Sequence, residues 1–441
     1  MCKVYGIDLG TTNSIIGRDD ALLTGLVSSS VDIVKSEQVS RDVYGKDIVS
    51  SYKVNMSTGE SGKVPVYCSS IILKKLASVV AARTDEECRD VCISVPAYFA
   101  TTQREAVKAA AEKAGLNLRR VINEPTAAAI YVCRDIKDYV IVYDLGGGTF
   151  DVTLIDARDG SYRTIATSGE ILGGDDLDTA MLLYVLKKNK IRVRYQTKEN
   201  KAKLRTEIRL VKERLQKERC DQVFSLEFMG GSDNCVFTVD EYKQLVEEVF
   251  TPTIIKTQAL IDAYVQSYES PKIIYTGGST YCPYLMEWLH EVFDLEEIEY
   301  NVPKDMLVAY GIAYVAKLVE DGEDTELITN VTKQLSVELD DGTMFPIIEE
   351  NTIIPCTVRY PFFNMWDSDT ITVRLYQGNS RLAKDNDFIG TLDYKFDKVM
   401  KAGTGLINVD IVVTYDGYVN LKVFNQYETD VNAKQIKLRI L

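Results

Sequence analysis

The sequence predicts an α/β domain followed by an antiparallel β-sandwich. Two short apolar segments, residues 3–9 and 139–145, are rich in β-branched and aromatic residues, and each leads through a Gly-Thr turn into a second strand. Strand and helix patterns alternate up to about residue 320, which is typical of α/β architecture. Beyond that point apolar and polar residues alternate and an Asp-Gly turn joins two strands, so the last third is predicted to be all β.

The composition supports several hydrophobic cores and argues against nucleic-acid binding. The 441 residues are 46% hydrophobic and 26% charged, and 65 Asp and Glu outnumber 51 Lys and Arg, which gives a net charge of -14. Such an acidic chain repels a phosphate backbone. Because His290 is the single histidine, most zinc sites and a Ser-His-Asp triad elsewhere in the chain are excluded. Catalysis is expected to use carboxylates, lysine and hydroxyl groups.

The cysteines and the N-terminus predict a cytoplasmic protein without membrane contact. Nine cysteines are scattered along the chain and only Cys88 and Cys92 are close in sequence, which is typical of free thiols in a reducing compartment. The N-terminus enters a strand without the regions of a signal peptide, and no stretch reaches the ~18 apolar residues of a membrane span.

Two turns share an Asp-Leu-Gly start. In the first, residues 10–12 (Gly-Thr-Thr) precede the strand pattern SIIG, and in the second, residues 146–149 (Gly-Gly-Gly-Thr) precede FDVTLIDA. Both turns lead into strands, whereas the glycines of a P-loop or a dinucleotide fingerprint open a helix. One such turn would be interpreted as an ordinary hairpin, but two of them favour a common function.

Between the two turns the sequence predicts a strand, a loop and a helix. Residues 91–95 are an apolar strand pattern that ends at Pro96. A capping box from Thr102 to Glu105 begins a helix that ends near Gly115.

Further elements follow in the same alternation. Glu124 precedes an alanine-rich run and so stands at a helix entrance, where an acid interacts favourably with the positive helix end. Residues 199–219 predict an amphipathic helix whose basic surface is interpreted as solvated rather than as an RNA patch. Residues 272–280 predict a strand that ends in glycines, and a helix follows Pro283. The acid-rich segment 320–326 predicts a domain boundary.

The paired turns predict a nucleotide clamp. Backbone N–H groups and threonine hydroxyls of two hairpins can hold a polyphosphate from both sides, while the acids behind them hold hydrated Mg²⁺. Hydrolysis then requires a lysine and one or two carboxylates near the attacking water. The acids available are Asp8, Asp144 and Glu124.

Six motifs carry a resemblance to a known family. In chain order they are GIDLGTTNS, VPAYF with Gln103 and Arg104, INEPTAAA, VYDLGGGTFDVTLI, LGGDDLD and GGST. Any one of them would indicate only the wider actin-like ATPase superfamily. All six in order, followed by a β-sandwich, resemble the DnaK family of 70-kDa heat-shock chaperones over nearly the whole chain.

This resemblance implies an ATP-dependent chaperone with a defined domain order. Residues 1–322 would form an actin-like ATPase domain, in which two lobes with duplicated ribonuclease-H-like cores surround a cleft. A linker at 323–333 would lead to a peptide-binding β-sandwich at 334–441 without a helical lid. The resemblance further implies hydrolysis of ATP to ADP with Mg²⁺, extended apolar peptide clients, and co-chaperones of the J-domain and nucleotide-exchange types.

The resemblance also implies roles for individual residues. Those assigned to the phosphate loops, the closing turn and the nucleoside contacts are Gly10, Thr11, Thr12 and Asn13; Gly146, Gly147, Gly148 and Thr149; Gly173, Gly174 and Asp175; and Lys212, Gly277, Gly278, Ser279 and Asp305. Those assigned to Mg²⁺, mostly through water, are Asp8 and Asp144, and those assigned to hydrolysis are Glu124, Asp144, Thr149 and Asp151. For Lys212 the alternative interpretation is an exposed helix lysine.

The catalytic lysine is assigned to Lys53, within SSYKVNMSTG. This segment is shorter than the family pattern and lacks its Lys-Arg-x-x-Gly stretch, so Lys63, Lys74 and Lys75 are alternatives.

Other departures from the family pattern concern the base and the linker. Tyr281 stands where the family usually has an arginine, and Glu213 and Gln216 replace a basic residue and a serine near the adenine, which predicts weaker or less selective ATP binding. The residues that the resemblance assigns to coupling between the two domains are Pro96, Arg104, Leu327 and Ile328. The linker is less apolar than that of the family, which puts coupling in question.

In the sandwich, the resemblance assigns peptide binding to a set of apolar residues. They are Val337, Leu339, Phe362, Ile371 and Val373. Without the resemblance, inward apolar residues of a sandwich would be interpreted as core. Asp340 and Met365 match the positions that arch over the peptide.

Two other function classes use the same ATPase fold. An actin-like filament former would not need the sandwich, and a small-molecule kinase would need a second-substrate site that no motif in the sequence supplies.

Overall fold

A computed structural model describes most of the chain. The described residues are 3–32, 38–40, 48–49, 63–97, 99, 101–158, 162–265, 270–322, 327–328, 331, 333–350, 352–413, 418–425 and 434–439.

The first sheet is built around the strand that precedes the first Gly-Thr turn. The elements of this part are β1 (Val4–Leu9), β2 (Asn13–Arg18), β3 (Ala21–Leu22), β4 (Val27–Ser28), β5 (Ser30–Asp32), β6 (Gln38–Ser40), β7 (Ile48–Val49), α1 (Lys63–Thr84), β8 (Asp90–Val95), α2 (Thr101–Lys113), β9 (Asn117–Asn123) and α3 (Glu124–Val132). The sheet order is β3-β2-β1-β8-β9, with β4 beside β2, while β5, β6 and β7 form a small separate sheet.

The second sheet is built around the strand that precedes the second turn. Its elements are β10 (Tyr139–Leu145), β11 (Phe150–Asp156), β12 (Tyr162–Glu170), α4 (Gly174–Lys188), α5 (Lys198–Glu218), β13 (Gln222–Phe224), β14 (Cys235–Phe237), α6 (Val239–Tyr264), β15 (Lys272–Thr276), α7 (Pro283–Phe293), α8 (Leu307–Asp321) and β16 (Leu327–Ile328). The sheet order is β15-β10-β11-β12-β16, and β13 and β14 form a separate hairpin.

The two central strands, β1 and β10, have equivalent neighbours. Each pairs antiparallel with the strand after its turn, β2 or β11, and parallel with a later strand, β8 or β15. Each also carries an aspartate next to its last residue: Asp8 lies opposite Ser94, and Asp144 lies opposite Thr276. The duplication seen in the sequence is therefore present in the strand pairing, and it places both aspartates at equivalent ends of the two sheets.

Helices α3 and α8 join the two sheets. One buried cluster contains Val4 of β1, Val142 of β10, Ala127 of α3 and Ile312 of α8. A Cβ atom on Gly311 would lie 2.0 Å from the carbonyl oxygen of Ala127, so the two helices cross in backbone contact. This close crossing fixes the position of one sheet relative to the other.

Two features bear on the cellular compartment. Contrary to expectation, one stretch, Val64–Thr84 in α1, is long and apolar enough to cross a membrane by length and composition. It is weak evidence for a span, because Cys68, Ile72 and Leu76 of α1 are buried in the core of the first sheet. The cysteines that the structure describes form no disulfide.

The C-terminal part is an antiparallel β-sandwich, as predicted. Its strands are β17 (Leu335–Glu338), β18 (Met344–Ile348), β19 (Cys356–Phe363), β20 (Ser368–Gln377), β21 (Asp387–Met400), β22 (Leu406–Val413), β23 (Tyr418–Asn425) and β24 (Lys434–Arg439). They form two sheets with the orders β18-β17-β20-β21 and β19-β22-β23-β24. Val331 is fully buried in the sandwich core, so this core begins a few residues before the predicted boundary at 334.

The segment between the two parts of the chain is joined to the second sheet. The acid-rich stretch begins inside α8, which ends at Gly322 with a left-handed φ of 77°. Beyond it, the short strand β16 pairs in parallel with the beginning of β12, with Leu327 opposite Tyr162 and Ile328 opposite Arg163. The linker backbone therefore extends the sheet that carries the second turn.

Replacing Gly311 with alanine should destabilise the part of the chain that contains both sheets. The added methyl group overlaps the Ala127 carbonyl, and overpacking of this kind costs about 1–3 kcal/mol. We expect the variant to unfold at a lower urea concentration than the wild type, and circular dichroism would measure this midpoint. Gly25→Ala is the matched control, because a Cβ there meets nothing within 4 Å. Equal midpoints for both variants would contradict the crossing geometry.

Candidate functional site

A cleft of about 440 Å³ lies where the two Asp-Leu-Gly turns face each other. This volume is within the usual range for small-molecule sites. The predicted site residues that line it are Asp8, Gly10, Thr11, Thr12, Asn13, Glu124, Asp144, Gly146, Gly147, Thr149, Gly174, Asp175, Lys212, Gly277, Gly278, Ser279 and Asp305. Residues that are far apart in sequence are thus brought to one opening.

The first turn is supported from behind by serines. The Ser94 hydroxyl donates to the Asp8 carboxylate at 2.9 Å, which orients that carboxylate at the end of β1. The Ser29 hydroxyl donates to the Gly10 carbonyl at 2.8 Å, and the Ser29 amide donates to the Thr12 carbonyl at the same distance. These bonds fix the shape of the turn before any ligand binds.

The second turn touches the first. It closes as a hairpin, in which the Gly146 amide donates to the Thr149 carbonyl at 2.9 Å. A Cβ atom on Gly147 would lie only 2.3 Å from the Thr12 hydroxyl oxygen. A side chain at this position therefore cannot fit while Thr12 keeps its place, and both turns border one narrow space.

A third turn covers the second one. The Gly174 amide donates to the Gly146 carbonyl at 3.1 Å, and the Asp175 amide donates to the Gly147 carbonyl at 2.7 Å. A Cβ on Gly173 would meet the Gly147 carbonyl at 2.5 Å, so this approach requires glycine. Gly173 and Gly148 lie in this contact beneath the cleft and do not line it.

The third turn also opens a helix toward the cleft. Helix α4 begins at Gly174, and its first residues Gly174 and Asp175 line the opening. The sequence analysis found no helix N-terminus at the two Asp-Leu-Gly turns and did not identify this one. The positive end of α4 thus adds to the field at the cleft.

Asp8, Asp144 and Glu124 supply hard oxygen atoms to the cleft. Glu124 is the first residue of α3, and both Glu124 and Asp144 are about 8% exposed. Among the described residues, no group of three or more His, Cys, Asp or Glu side chains is arranged to hold a metal ion. The donor set fits Mg²⁺, which binds through one or two carboxylates and keeps its other positions for water and phosphate oxygens.

Lys212 lies in the cleft as predicted and is not an exposed helix lysine. Its ammonium group forms an ion pair of 2.5 Å with the nearly buried Asp178. The same helix, α5, contributes Arg209, which pairs with Glu213 at 3.3 Å. The sequence analysis missed Arg209 and Asp178; the (i, i+4) spacing of Arg209 and Glu213 was a usable signal for the first.

Gln216 and Tyr242 complete this side of the cleft. The Gln216 side-chain amide donates to the Tyr242 hydroxyl at 2.7 Å. Burial raises the pKa of Tyr242 well above its ordinary value, so the phenol stays protonated. The bond fixes the orientation of the Gln216 side chain at the rim.

Tyr281 is held beside Asp305. It ends a short 3₁₀ helix, Gly278–Tyr281, and its hydroxyl donates to the Asp305 carboxylate at 3.0 Å while accepting from the Lys304 amide at 3.0 Å. Burial and the Asp305 carboxylate raise the pKa of this hydroxyl. Asp305, predicted as a nucleoside contact, therefore also orients an aromatic ring.

Asp151 lies near the start of β11 and is buried. It is about 1% exposed and is not among the residues that line the cleft, and its role near the attacking water stays a prediction. Its carboxylate accepts from the Ala97 amide at 2.8 Å, which ties the turn after Pro96 to the second hairpin. Strand β11 places Asp151 directly opposite Asp144, so the two side chains lie on the same face of the sheet.

Arg104 is buried behind Glu124. Its guanidinium donates to the Asn123 side chain at 2.6 Å and to the Phe99 carbonyl at 3.0 Å. Asn123 immediately precedes Glu124. The arginine thus contacts the residue that immediately precedes α3 and Glu124.

The structure tests only some of the candidate catalytic lysines. Lys53 lies outside the described residues, as does the side chain of Lys63. Lys74 and Lys75 are exposed on α1 and do not line the cleft, so the structure disfavours these two alternatives.

The predicted peptide-binding residues are not brought to one open surface. Val337, Ile371 and Val373 are buried in the sandwich core, whereas Leu339 is exposed and Phe362 is partly buried. The sequence analysis missed Phe345, whose ring contacts Phe362 edge-on at a centroid distance of 6.2 Å. Asp340 and Met365, the predicted arch residues, are exposed.

Comparison with known proteins decides the family. A family model described as Hsp70 protein matches residues 35–439. The chain belongs to the Hsp70 family. The chaperone protein DnaK of Mycoplasma mobile is 29% identical over 472 aligned positions, which cover 99% of this chain and 78% of that protein.

Membership of the Hsp70 family confirms the main predictions from the sequence. The protein is an ATP-dependent chaperone and an ATPase, and the filament-forming and kinase alternatives are not favoured. The family implies an actin-like ATPase followed by a β-sandwich, and the mixed α/β sheets and the sandwich described above are consistent with that plan.

Gly147→Ala should weaken binding of ATP in the presence of Mg²⁺. The methyl group overlaps the Thr12 hydroxyl, so that side chain must shift, and the added carbon hinders the approach of a phosphate to the backbone N–H groups of the turn. Isothermal titration calorimetry would measure the loss, with Gly25→Ala as the steric control. Undiminished binding would rule out the turns as the phosphate site.

Proposed function

We propose that the cleft binds Mg-ATP between the two Asp-Leu-Gly turns and hydrolyses it to ADP and phosphate. The close approach of the two turns carries this proposal. A polyphosphate is slender enough to enter so narrow a space and to accept hydrogen bonds from backbone donors on both sides. The two sheets would be the duplicated ribonuclease-H-like cores of an actin-like ATPase domain at residues 1–322. The linker at 323–333 and the sandwich at 334–441 complete the proposed domain order.

The glycine turns would bind the phosphates through backbone N–H groups. Three regions contribute: residues 10–13, residues 146–149 and the third turn at 173–175. Asp8 and Asp144 would hold hydrated Mg²⁺, mostly through its waters, and the ion would supply positive charge beside the phosphate oxygens. Gly277, Gly278 and Ser279 position the nucleoside, and Ser279 is itself fixed by a 2.8 Å bond to the Gly146 carbonyl.

Hydrolysis would depend on Glu124, Thr149 and Lys53. Glu124 accepts a hydrogen bond from the attacking water and orients it, the water oxygen bonds to the γ-phosphorus, and the bond to the β–γ bridging oxygen breaks with ADP as the leaving group. Lys53 and the Thr149 hydroxyl donate to the γ-phosphate as its charge shifts. Asp144 acts through the metal and its waters, and Asp151 supports the hairpin from below.

Two chains of contacts would transmit a change of bound nucleotide from the cleft to other parts of the molecule. One runs from Glu124 through Asn123 to Arg104, and the other from the second hairpin through Asp151 to Pro96 and Ala97. A further link is β12, which leads into the closing turn at one end and pairs with β16 at the other. Leu327 and Ile328 are thereby attached to the strand that leads into the third turn.

The sandwich would bind extended apolar peptides in the cytoplasm. Leu339, Phe345 and Phe362 offer apolar surface there, while the burial of Val337, Ile371 and Val373 supports a sandwich that must open before these residues reach a peptide. Partners of the J-domain and nucleotide-exchange types would act on this cycle, as the family implies.

Glu124→Gln and Lys53→Ala should slow hydrolysis more than they weaken ATP binding. Both groups act on charge and orientation in the transition state, and the loss of one such group typically costs ~10²–10³ in rate. Single-turnover hydrolysis measures the rate and calorimetry the affinity. Lys74→Ala, on the exposed face of α1, is the matched control. A wild-type hydrolysis rate for Lys53→Ala would show that Lys53 is not the catalytic lysine.

Arg104→Lys should uncouple the cleft from the sandwich. Lysine keeps the positive charge but cannot donate to Asn123 and the Phe99 carbonyl in the same geometry. We expect near-normal ATP binding and slower release of a fluorescent apolar peptide when ATP is added. Arg119→Lys, at a half-exposed arginine of β9, is the control. Unchanged ATP-driven release would exclude this chain of contacts.

A further inference from the structure

The end of helix α8 is tied to the first sheet by Glu320. The Glu320 carboxylate accepts a hydrogen bond of 3.0 Å from the Val4 amide of β1 and one of 2.9 Å from the Arg18 guanidinium of β2. Both charged side chains are mostly buried, with 16% of Glu320 and 22% of Arg18 exposed. Although burial disfavours the charged form, these two donors lower the pKa of Glu320, so the carboxylate is ionised at neutral pH.

Arg18 is itself fixed by the start of β1. Its guanidinium lies over the ring of Tyr5, with the central carbon 5.9 Å from the ring centroid. The Tyr5 hydroxyl donates to the Glu86 carboxylate at 2.9 Å, and Lys3 forms an ion pair with the same carboxylate. Burial and Glu86 raise the pKa of Tyr5 to about 12, so this phenol remains a donor. The partner of Glu320 is therefore held in place by β1 and by the segment that precedes β8.

The linker begins directly after this attachment and is held again on the second sheet. Helix α8 is capped by Gly322, and Leu327 and Ile328 of β16 pair with β12. The five steps of chain from Gly322 to Leu327 span at most about 17 Å. This short segment therefore connects the two sheets, attached to the first through Glu320 and to the second through a pairing of two residues.

We infer that Glu320 is a positioning residue that converts a change in the angle between the two sheets into release of β16 from β12. This inference rests on the proposed nucleotide site, because a ligand held by turns of both sheets sets the angle between them. Helices α3 and α8 cross in backbone contact, so the sheets are expected to rotate about this crossing.

The relative strength of the two attachments decides which one yields. When rotation carries β12 away from the end of α8, the short segment is pulled at both ends. The pairing of β16 involves two residues, whereas Glu320 forms a mostly buried ion pair and accepts the Val4 amide. Hydrogen bonds of charged groups are roughly twice as strong as neutral ones. We therefore expect β16 to leave β12 while the last turn of α8 stays in place.

The test measures hydrogen exchange with and without Mg-ATP in the wild type and in Glu320→Ala. Mass spectrometry reads the peptides that cover the last turn of α8 and β16, and calorimetry on the same samples measures ATP affinity. Alanine has the highest helix propensity, so faster exchange in α8 cannot come from a weaker helix former. We expect the last turn to exchange roughly tenfold faster, because a hydrogen-bonded charge is lost. ATP affinity should be unchanged, and the response of β16 to Mg-ATP should be largely lost.

Two further variants separate the attachment from general effects of substitution. Glu287→Ala is the matched control, because Glu287 lies on helix α7 and forms an exposed ion pair of 2.9 Å with Arg219. It should leave both segments unchanged. Arg18→Met removes the charge of the partner and should also speed exchange at the end of α8. Combining it with Glu320→Ala should add little, because both substitutions remove the same pair.

Other results would overturn the inference. Wild-type exchange at the end of α8 in Glu320→Ala would show that this carboxylate does not hold the helix. If β16 responded to Mg-ATP equally in the variant and the wild type, or in neither, the attachment would not control the linker. If the wild type bound no ATP, the proposed nucleotide site would fail, and ATP-dependent release of β16 with it. The comparison of α8 without nucleotide would still decide whether Glu320 holds the helix, which separates the two failures.

Discussion

The cleft depends on backbone segments that approach each other more closely than any side chain allows. Gly10, Gly147, Gly173 and Gly277 each stand where a Cβ atom would lie between 2.1 and 2.5 Å from another atom. Gly277 also has a left-handed φ of 91°, so it is required both for its conformation and for its contact with the Leu145 carbonyl. At Gly10, Gly173 and Gly277 the nearest atom is backbone, and at Gly147 it is the Thr12 hydroxyl oxygen, so the shape of the turns depends on backbone approach and on one small side chain.

The local parts of this arrangement were predictable from the sequence, and the long-range parts were not. Residues 139–145 and the glycines after them predict a strand and a turn, because hydrophobic periodicity and turn preferences depend on only a few neighbouring residues. The bond between Ser94 and Asp8 spans 86 residues and follows from the register of β1 with β8. The burial of Asp151 was missed for the same reason, since its carboxylate is bonded to the Ala97 amide, 54 residues away in sequence.

Electrostatics make the phosphate site depend on backbone donors and metal. The lining cations that the structure describes, Arg209, Lys212 and Lys304, each form an ion pair with a carboxylate. Asp8, Asp144 and other acids give the opening a negative character, in a chain whose net charge is already -14. In the proposed site, a polyphosphate would therefore bind together with a divalent cation that offsets the local negative charge. This explains how an acidic protein can bind one of the most highly charged small molecules in the cell.

Strand β12 connects the third turn of the cleft to the linker strand β16. It pairs with β11 from Glu170 opposite Phe150 to Arg163 opposite Asp156, and its far end pairs with β16. A paired strand transmits displacement along its axis better than a loop does, because shifting it breaks a ladder of hydrogen bonds together. The register shift between Leu154 and Ile155 interrupts that ladder near its middle. A bulge increases the local twist of the strand that carries it, so the end of β12 that pairs with β16 is twisted relative to the end that leads into the third turn.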